Sequence, residues 1–169
     1  MRRGTALPLP GRALLLALPL AALSVSFAPP AAAAEVTLHE VRPPEGTAVE
    51  VPFAPTGRAP AGAALEGELL AAGGRTRVAL SWRRMQPALL FGGEVTAYAV
   101  WAVARDGAVE NLGELHATAP KGEATFTTRR KALALLVTAE PWPLVARPSD
   151  VVVFTSGPPK PSKAPSEAF

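Results

Sequence analysis

Glycine and proline set the length scale of structure in this chain. Fourteen glycines and 19 prolines fall among 169 residues, and they cut the apolar windows into short runs. A helix interior tolerates neither residue well, whereas strands of about five or six residues fit between such breaks. Only Ala61–Ala72 has spacing that also suits a short amphipathic helix. Isoleucine is absent, asparagine occurs once, and arginine outnumbers lysine 13 to 4. That bias is the mark of GC-rich coding, so the abundant alanine says little about helix.

The runs between the breaks have strand periodicity. Leu65–Ala71 and Thr76–Trp82 flank Ala72-Gly73-Gly74-Arg75, a hairpin signal, with Val78, Leu80 and Trp82 on one face. Gln86–Gly93 is a loop. Thr96–Ala104 follows, apolar on both faces, with Tyr98 and Val100 on one and Trp101 and Val103 on the other. A strand of that kind belongs inside a sheet. Asp106-Gly107 predicts a type I′ turn leading into Val109–Leu115. Ala124–Thr128 and Ala132–Thr138 are expected to pair around Arg129, Arg130 and Lys131, and Val151–Thr155 closes the series. Seven or eight strands at roughly ten-residue spacing predict an all-β fold, an antiparallel immunoglobulin-like β-sandwich.

The ends differ from this core. Residues 1–34 have the form of a secretory signal. Arg2 and Arg3 precede an apolar stretch from Ala13 to Val25, and Ala32 and Ala34 fit a signal-peptidase site, which places the cut before Glu35. The stretch is shorter than the roughly 20 residues a membrane span needs, so no span is expected after cleavage. Residues 35–63 form an edge strand and a Pro/Gly-rich segment, with Val36, Leu38 and Val41 as strand candidates and Val49, Val51 and Phe53 alternating inward. The core occupies 64–155. Residues 156–169, rich in proline, lysine and serine, are expected to be a disordered tail.

Charge follows from the same division. The chain carries 17 basic and 14 acidic residues, but Arg2, Arg3 and Arg12 belong to the leader, and the mature chain is formally neutral. Its basic balance is therefore no nucleic-acid footprint, and Arg129–Lys131 is expected to be a solvated turn. No cysteine is present, which excludes disulfides, thiolate metal sites and cysteine nucleophiles.

Three segments resemble a known arrangement: YAVWAVARDGAVENLGEL (98–115), LLVTAEP (135–141) and PSDVVV (148–153). Together they are similar to the extracytoplasmic C-terminal domain of the anti-sigma-K factor family, and to β-domains of bacterial envelope proteins found beside outer-membrane-protein-A-like modules. The likeness covers residues 64–153. It implies an envelope-side β-sandwich without catalytic residues. The family's cytoplasmic sigma-binding domain and membrane span have no counterpart here, since a signal segment stands in their place. Sigma-factor control is therefore not carried over.

Candidate chemistry is sparse. His39 and His116 are far apart in sequence, and Glu40 or Glu114 beside them does not make metal-ligand spacing. Ser81 and Ser149 lack a nucleophile elbow, and nothing brings either to a histidine and Asp106 or Asp150. Glu114 and Glu140 could serve as a carboxylate pair only if both faced one cleft. Glu140 ends an apolar strand before Pro141, where a carboxylate can accept N–H bonds from a neighbouring loop. Gly73-Gly74 and Gly92-Gly93 lack the helix and lysine of a phosphate loop. Aromatic residues offer more. Trp82, Tyr98 and Trp101 sit on strands, where core packing is the ordinary role. Trp142 lies in Glu140-Pro141-Trp142-Pro143-Leu144, where two prolines stiffen the loop; a rigid exposed indole loses little entropy on binding. The alternative is an indole folded back over the end of the sandwich.

The sequence thus predicts an exported, periplasmic or extracellular, non-enzymatic domain that contacts an envelope protein or cell-wall component. It predicts no cofactor, no metal and no nucleic-acid partner. The candidate binding residues are Glu140, Trp142 and Trp82, with Gln86–Gly93 as a second candidate loop. A carbohydrate-binding module stacking sugars on Trp82 or Trp142 is the alternative, and a small hydrolase using Glu114 and Glu140 the third reading.

Overall fold

In the computed structural model, which describes residues 37–161, the alternating segments become nine strands. They are β1 (Ala48–Pro55), β2 (Ala64–Ala72), β3 (Arg75–Arg83), β4 (Ala97–Val103), β5 (Val109–Glu114), β6 (Lys121–Thr128), β7 (Ala134–Glu140), β8 (Val152–Ser156) and the two-residue β9 (Lys160–Pro161). A 3-10 turn, Ala88–Phe91, is the one helical element among the described residues. No helix there is long and apolar enough to cross a membrane. The signal segment expected over 1–34 and the tail from residue 162 onward lie outside the described residues.

Every ladder is antiparallel, and the strands follow one path, β5-β4-β7-β8-β1-β2-β3-β6, with β9 also beside β1. The path curls until its two ends meet side chain to side chain. The Thr128 hydroxyl at the end of β6 and the Arg130 Nε–H both donate to Glu110 Oε2 on β5, at 2.8 and 3.1 Å. The result is a nearly closed, barrel-like all-β sheet.

Period-two burial builds the core. Along β3, Thr76, Val78, Leu80 and Trp82 are buried while Arg75, Arg77 and Arg83 face solvent. Val78, Leu80 and Trp82 meet Tyr98, Val100 and Ala102 of β4, Leu135 and Val137 of β7, and Phe154 of β8 in one cluster. Burial of each such large apolar side chain contributes roughly 1.5–3 kcal/mol of transfer free energy. β4 is covered on its other face as well, where Ala99, Trp101 and Leu136 of β7 pack with Leu38, Val145 and Val152. The twofold apolar pattern of residues 96–104 therefore reflects a second, smaller cluster roofed by chain outside the sheet.

Several details depart from the sequence reading. The Pro/Gly-rich stretch after Val41 holds β1, a strand with ladder partners on both sides. Its Ala48–Pro52 half pairs with β2, its Phe53–Pro55 half with β8, and Val49 and Glu50 lie opposite β9, so backbone groups on both of its edges find ladder partners. β6 and β7 do not pair with each other: β6 lies on β3 and β7 lies between β4 and β8. The Arg129–Lys131 connection crosses from one half of the sheet to the other, and Arg130 is half-buried against Glu110. The turn at Asp106-Gly107 also differs. Ala104 and Ala108 close a three-residue loop, and only Gly107 has positive φ, at 82°; this is a type I turn with a glycine bulge, not type I′. Finally, the ordered chain continues past residue 156. Ser156 is buried and its Oγ accepts the Leu135 N–H at 2.8 Å. Lys160 and Pro161 lie opposite Glu50 and Val49. Pro158-Pro159 cannot donate to a ladder, but their extended geometry keeps the chain alongside β1.

Candidate functional site

The segment after β7 is built from its prolines upward. Pro141 has no N–H, so the ladder stops at Glu140 and the chain leaves the sheet, returning as β8 at Val152. Bonds along its length hold this excursion. The Thr96 hydroxyl donates to the Pro141 carbonyl at 2.7 Å. The amide of Asn111 on β5 donates to the carbonyls of Pro143 and Val145, at 2.9 and 3.0 Å. The Ser149 N–H donates to Glu140 Oε1 at 2.8 Å, and the Ser149 hydroxyl to the Ala139 carbonyl at 3.2 Å. Val145 packs into the cluster around Trp101. On this anchored base Trp142 is 65% exposed and Leu144 75% exposed.

Glu140 sits beneath, not within, that surface. It is 2% exposed, and a relay of polar groups ends on it: the Trp101 indole N–H donates to Thr138 Oγ1 at 2.8 Å, and the Thr138 hydroxyl donates in turn to Glu140 Oε1. Its outward-facing position on β7 is roofed by residues 141–151. The carboxylate is thus a tether for the loop, and its assignment as a ligand-contacting residue is corrected. Buried acceptors of this kind are retained because leaving their donors unpaired is costly.

Trp82 is likewise no platform. It is 5% exposed, its indole N–H donates to the Ala119 carbonyl at 3.1 Å, and its ring lies flush on Gly122. Position 82 falls on the inward set of β3, so the same alternation that identified the strand also buries the ring. Of the three candidate binding residues, Trp142 alone is presented to solvent.

The Gln86–Gly93 loop contributes more than its composition indicated. Leu89 and Leu90 on the 3-10 turn are exposed. Pro87-Ala-Leu-Leu-Phe-Gly-Gly is an apolar run too short for a strand and closed by two glycines, a signal for surface display that was present in the sequence. This loop leads into Thr96, whose backbone N–H donates to the Glu140 carbonyl at 2.9 Å. Both loops therefore leave the sheet where β4 begins and β7 ends.

Other candidates fall apart spatially. Glu114 and Glu140 flank β4 opposite Ala99 and Ala97, but Glu114 pairs with the exposed His116 at 3.3 Å, while Glu140 is enclosed. Ser81 is exposed on the outer face of β3. No group of three metal-ligating side chains occurs among the described residues. A shallow concavity of about 670 Å³ crosses the outer face of β1, β2, β3 and β6, edged by Glu50, Glu66, Glu68 and Glu123. Lys160 and the half-buried Phe53 line it as well, and the Phe53 ring packs against the core.

Neither family models, curated proteins nor solved structures match this chain. The residues and their geometry carry the functional reading.

Proposed function

We propose that the chain is an exported, non-enzymatic β-domain of the bacterial envelope, periplasmic or extracellular, that acts by docking another protein through the 139–150 loop. The observation that carries this is Trp142: a largely exposed indole on a loop fixed by Thr96, Asn111 and Glu140. Exposed aromatic anchors on stiff supports are the residues that dominate protein interfaces, because little freedom is left to lose on binding. Leu144 adds apolar area beside it in sequence. No cofactor or nucleic acid belongs to this reading.

The resemblance to the anti-sigma-K extracytoplasmic domain supports the envelope assignment. Its three segments cover most of β4, all of β5, nearly all of β7, and the lead into and start of β8, which are neighbours in the sheet. The immunoglobulin-like sandwich is the finer fold within this proposal. It is supported by the two sets of four strands, β5-β4-β7-β8 and β1-β2-β3-β6, that share one core.

The test is a Trp142→Ala variant compared with the parent in its native compartment. Loss of a specific crosslinked partner with an unchanged melt supports the reading; retention of the same partner overturns it. An exposed indole would also suit a sugar face, so the carbohydrate reading survives on Trp142 alone. Titration with cell-wall glycans while following indole fluorescence separates the two, since sugar stacking shifts the Trp142 emission and a protein-docking loop leaves it unmoved.

A further inference from the structure

The large apolar side chains that the described residues expose all lie on two loops. Leu89 and Leu90 stand on the 3-10 turn between β3 and β4, and Trp142 and Leu144 on the loop between β7 and β8. Single exposed apolar residues scattered over a surface need no explanation, whereas a gathering of them marks a contact surface. The two loops also meet. Thr96, the last residue of the first, donates its N–H to the Glu140 carbonyl at 2.9 Å and its hydroxyl to the carbonyl of Pro141, the first residue of the second, at 2.7 Å.

Both loops are fixed at their bases. Met85 and Ala88 are buried in the core cluster, and the Met85 N–H donates to the Pro120 carbonyl at 3.2 Å. Phe91 stands edge-on to the Tyr98 ring, with centroids 6.3 Å apart. The Trp142 loop has the tethers to Thr96, Asn111 and Glu140 given above. Size argues for both loops acting together. Eleven residues separate β7 from β8 and thirteen separate β3 from β4; a stable interface uses roughly 20–30 residues a side, which neither loop reaches alone.

Charge says what kind of surface they meet. The charged residues of the two loops are Arg84, Glu94, Arg147 and Asp150, two of each sign, all exposed. None of the four makes an ion pair among the described residues. Apolar contact accompanied by charged groups at its margin is the anatomy of a protein interface. An anionic lipid surface selects instead for an excess of lysine and arginine beside the apolar residues, and these loops have none.

We propose that the Ala88–Phe91 turn and the Trp142 loop form one docking surface, and that its occupant is a single partner protein whose apolar face is flanked by charges of both signs. Leu89, Leu90, Trp142 and Leu144 supply the apolar contact. Arg84 and Arg147 meet carboxylates of the partner, and Glu94 and Asp150 meet its cations. The second loop and the partner's charge pattern extend the docking role proposed above for Trp142, on which they rest.

The test uses the full chain in its native envelope, with a photoreactive residue at Leu89 or at Leu144. One partner spanning both loops gives a protein adduct of the same mass from either position. Leu89→Ser with Leu90→Ser, both at exposed positions, lowers the yield from position 144 about tenfold, as truncation of interface anchors predicts, and leaves the melting temperature unchanged. Glu94→Lys with Asp150→Lys lowers it several-fold, since like charges then face each other across the interface. The purified chain does not sediment with vesicles of phosphatidylcholine and phosphatidylglycerol. An adduct from position 144 with none from position 89 overturns the shared surface and leaves the Trp142 loop docking by itself. A yield that ignores either pair of substitutions overturns it too. Sedimentation with the vesicles, strengthened by the two lysines, assigns the surface to lipid and overturns the protein occupant. No adduct from either position, in protein recovered folded, overturns the docking role itself.

Discussion

Glu140 offers the sharpest quantitative test of how the Trp142 loop is held. In Glu140→Ala the Ser149 N–H and the Thr138 hydroxyl both lose their acceptor. Thr138 is fully buried, so water cannot replace the carboxylate there without opening the loop. Hydrogen bonds to a charged group are worth roughly 1.5–3 kcal/mol each. Desolvation of the carboxylate offsets part of this. The expected net loss is about 3 kcal/mol, a large fraction of the roughly 5–15 kcal/mol that stabilises a typical domain. Urea unfolding followed by tryptophan fluorescence measures it, with an unchanged slope showing that the folded and unfolded states are otherwise comparable. Glu140→Gln is the control. Its amide oxygen can take the place of Oε1 and accept from the same two donors, so it should cost about 1 kcal/mol, the difference between charged and neutral hydrogen bonds. In Glu140→Ala the Ser149 amide should also exchange with solvent faster. Stability of the alanine variant within about 1 kcal/mol of the parent would refute the tether, because buried donors stripped of their acceptor cannot be so cheap.

Other consequences follow from the same geometry. Trp142→Ala removes an exposed side chain and should change stability by no more than about 0.5 kcal/mol, read from the same urea curves; a large loss would mean the indole packs on the domain. Gly122→Ala would place a methyl carbon 2.3 Å from the Trp82 ring, so overpacking should cost roughly 1–3 kcal/mol or more and lower the melting temperature. Burial raises the Tyr98 hydroxyl above its ordinary value of 10.0. Because the folded chain resists ionisation there and the unfolded chain does not, the Tyr98 contribution to stability should hold up to about pH 10 and decline above it. Absorbance of the single tyrosine should show ionisation in the native state later than in urea. Tyr98→Phe should be neutral or stabilising, since it removes an unpaired buried hydroxyl; a loss above about 1 kcal/mol would show that the hydroxyl is already satisfied.

Much of the sheet was legible in the sequence because burial and exposure alternate with period two along β3 and β6, and because Gly73-Gly74 and Asp106-Gly107 mark the hairpins. The two-faced apolar pattern of β4 correctly placed it inside the sheet, although its outer cover, Leu38 and Val145, could not be read locally. What escaped was long-range pairing. Nothing near Thr128 states that the next strand lies on the other half of the sheet, and nothing in Ala48–Pro55 states that β2, β8 and β9 all pair with it. The site follows the same division. Glu140 as an acceptor of loop N–H bonds could be inferred from its place between an apolar strand and Pro141. The burial of Trp82 follows from its parity with Val78 and Leu80. The meeting of the two loops could not be foreseen, because Thr96 and Glu140 become neighbours only when β4 pairs with β7.

The most direct test of the central claim is site-specific photo-crosslinking in the native envelope. A photoreactive residue at Leu144, which leaves Trp142 and its tethers intact, is compared with one at Ser81 on the outer face of β3. The account predicts a discrete protein adduct from position 144 that disappears when Trp142→Ala is added, and none from position 81. Adducts of equal yield from both positions, or none from position 144 in protein recovered folded from the envelope, would contradict it.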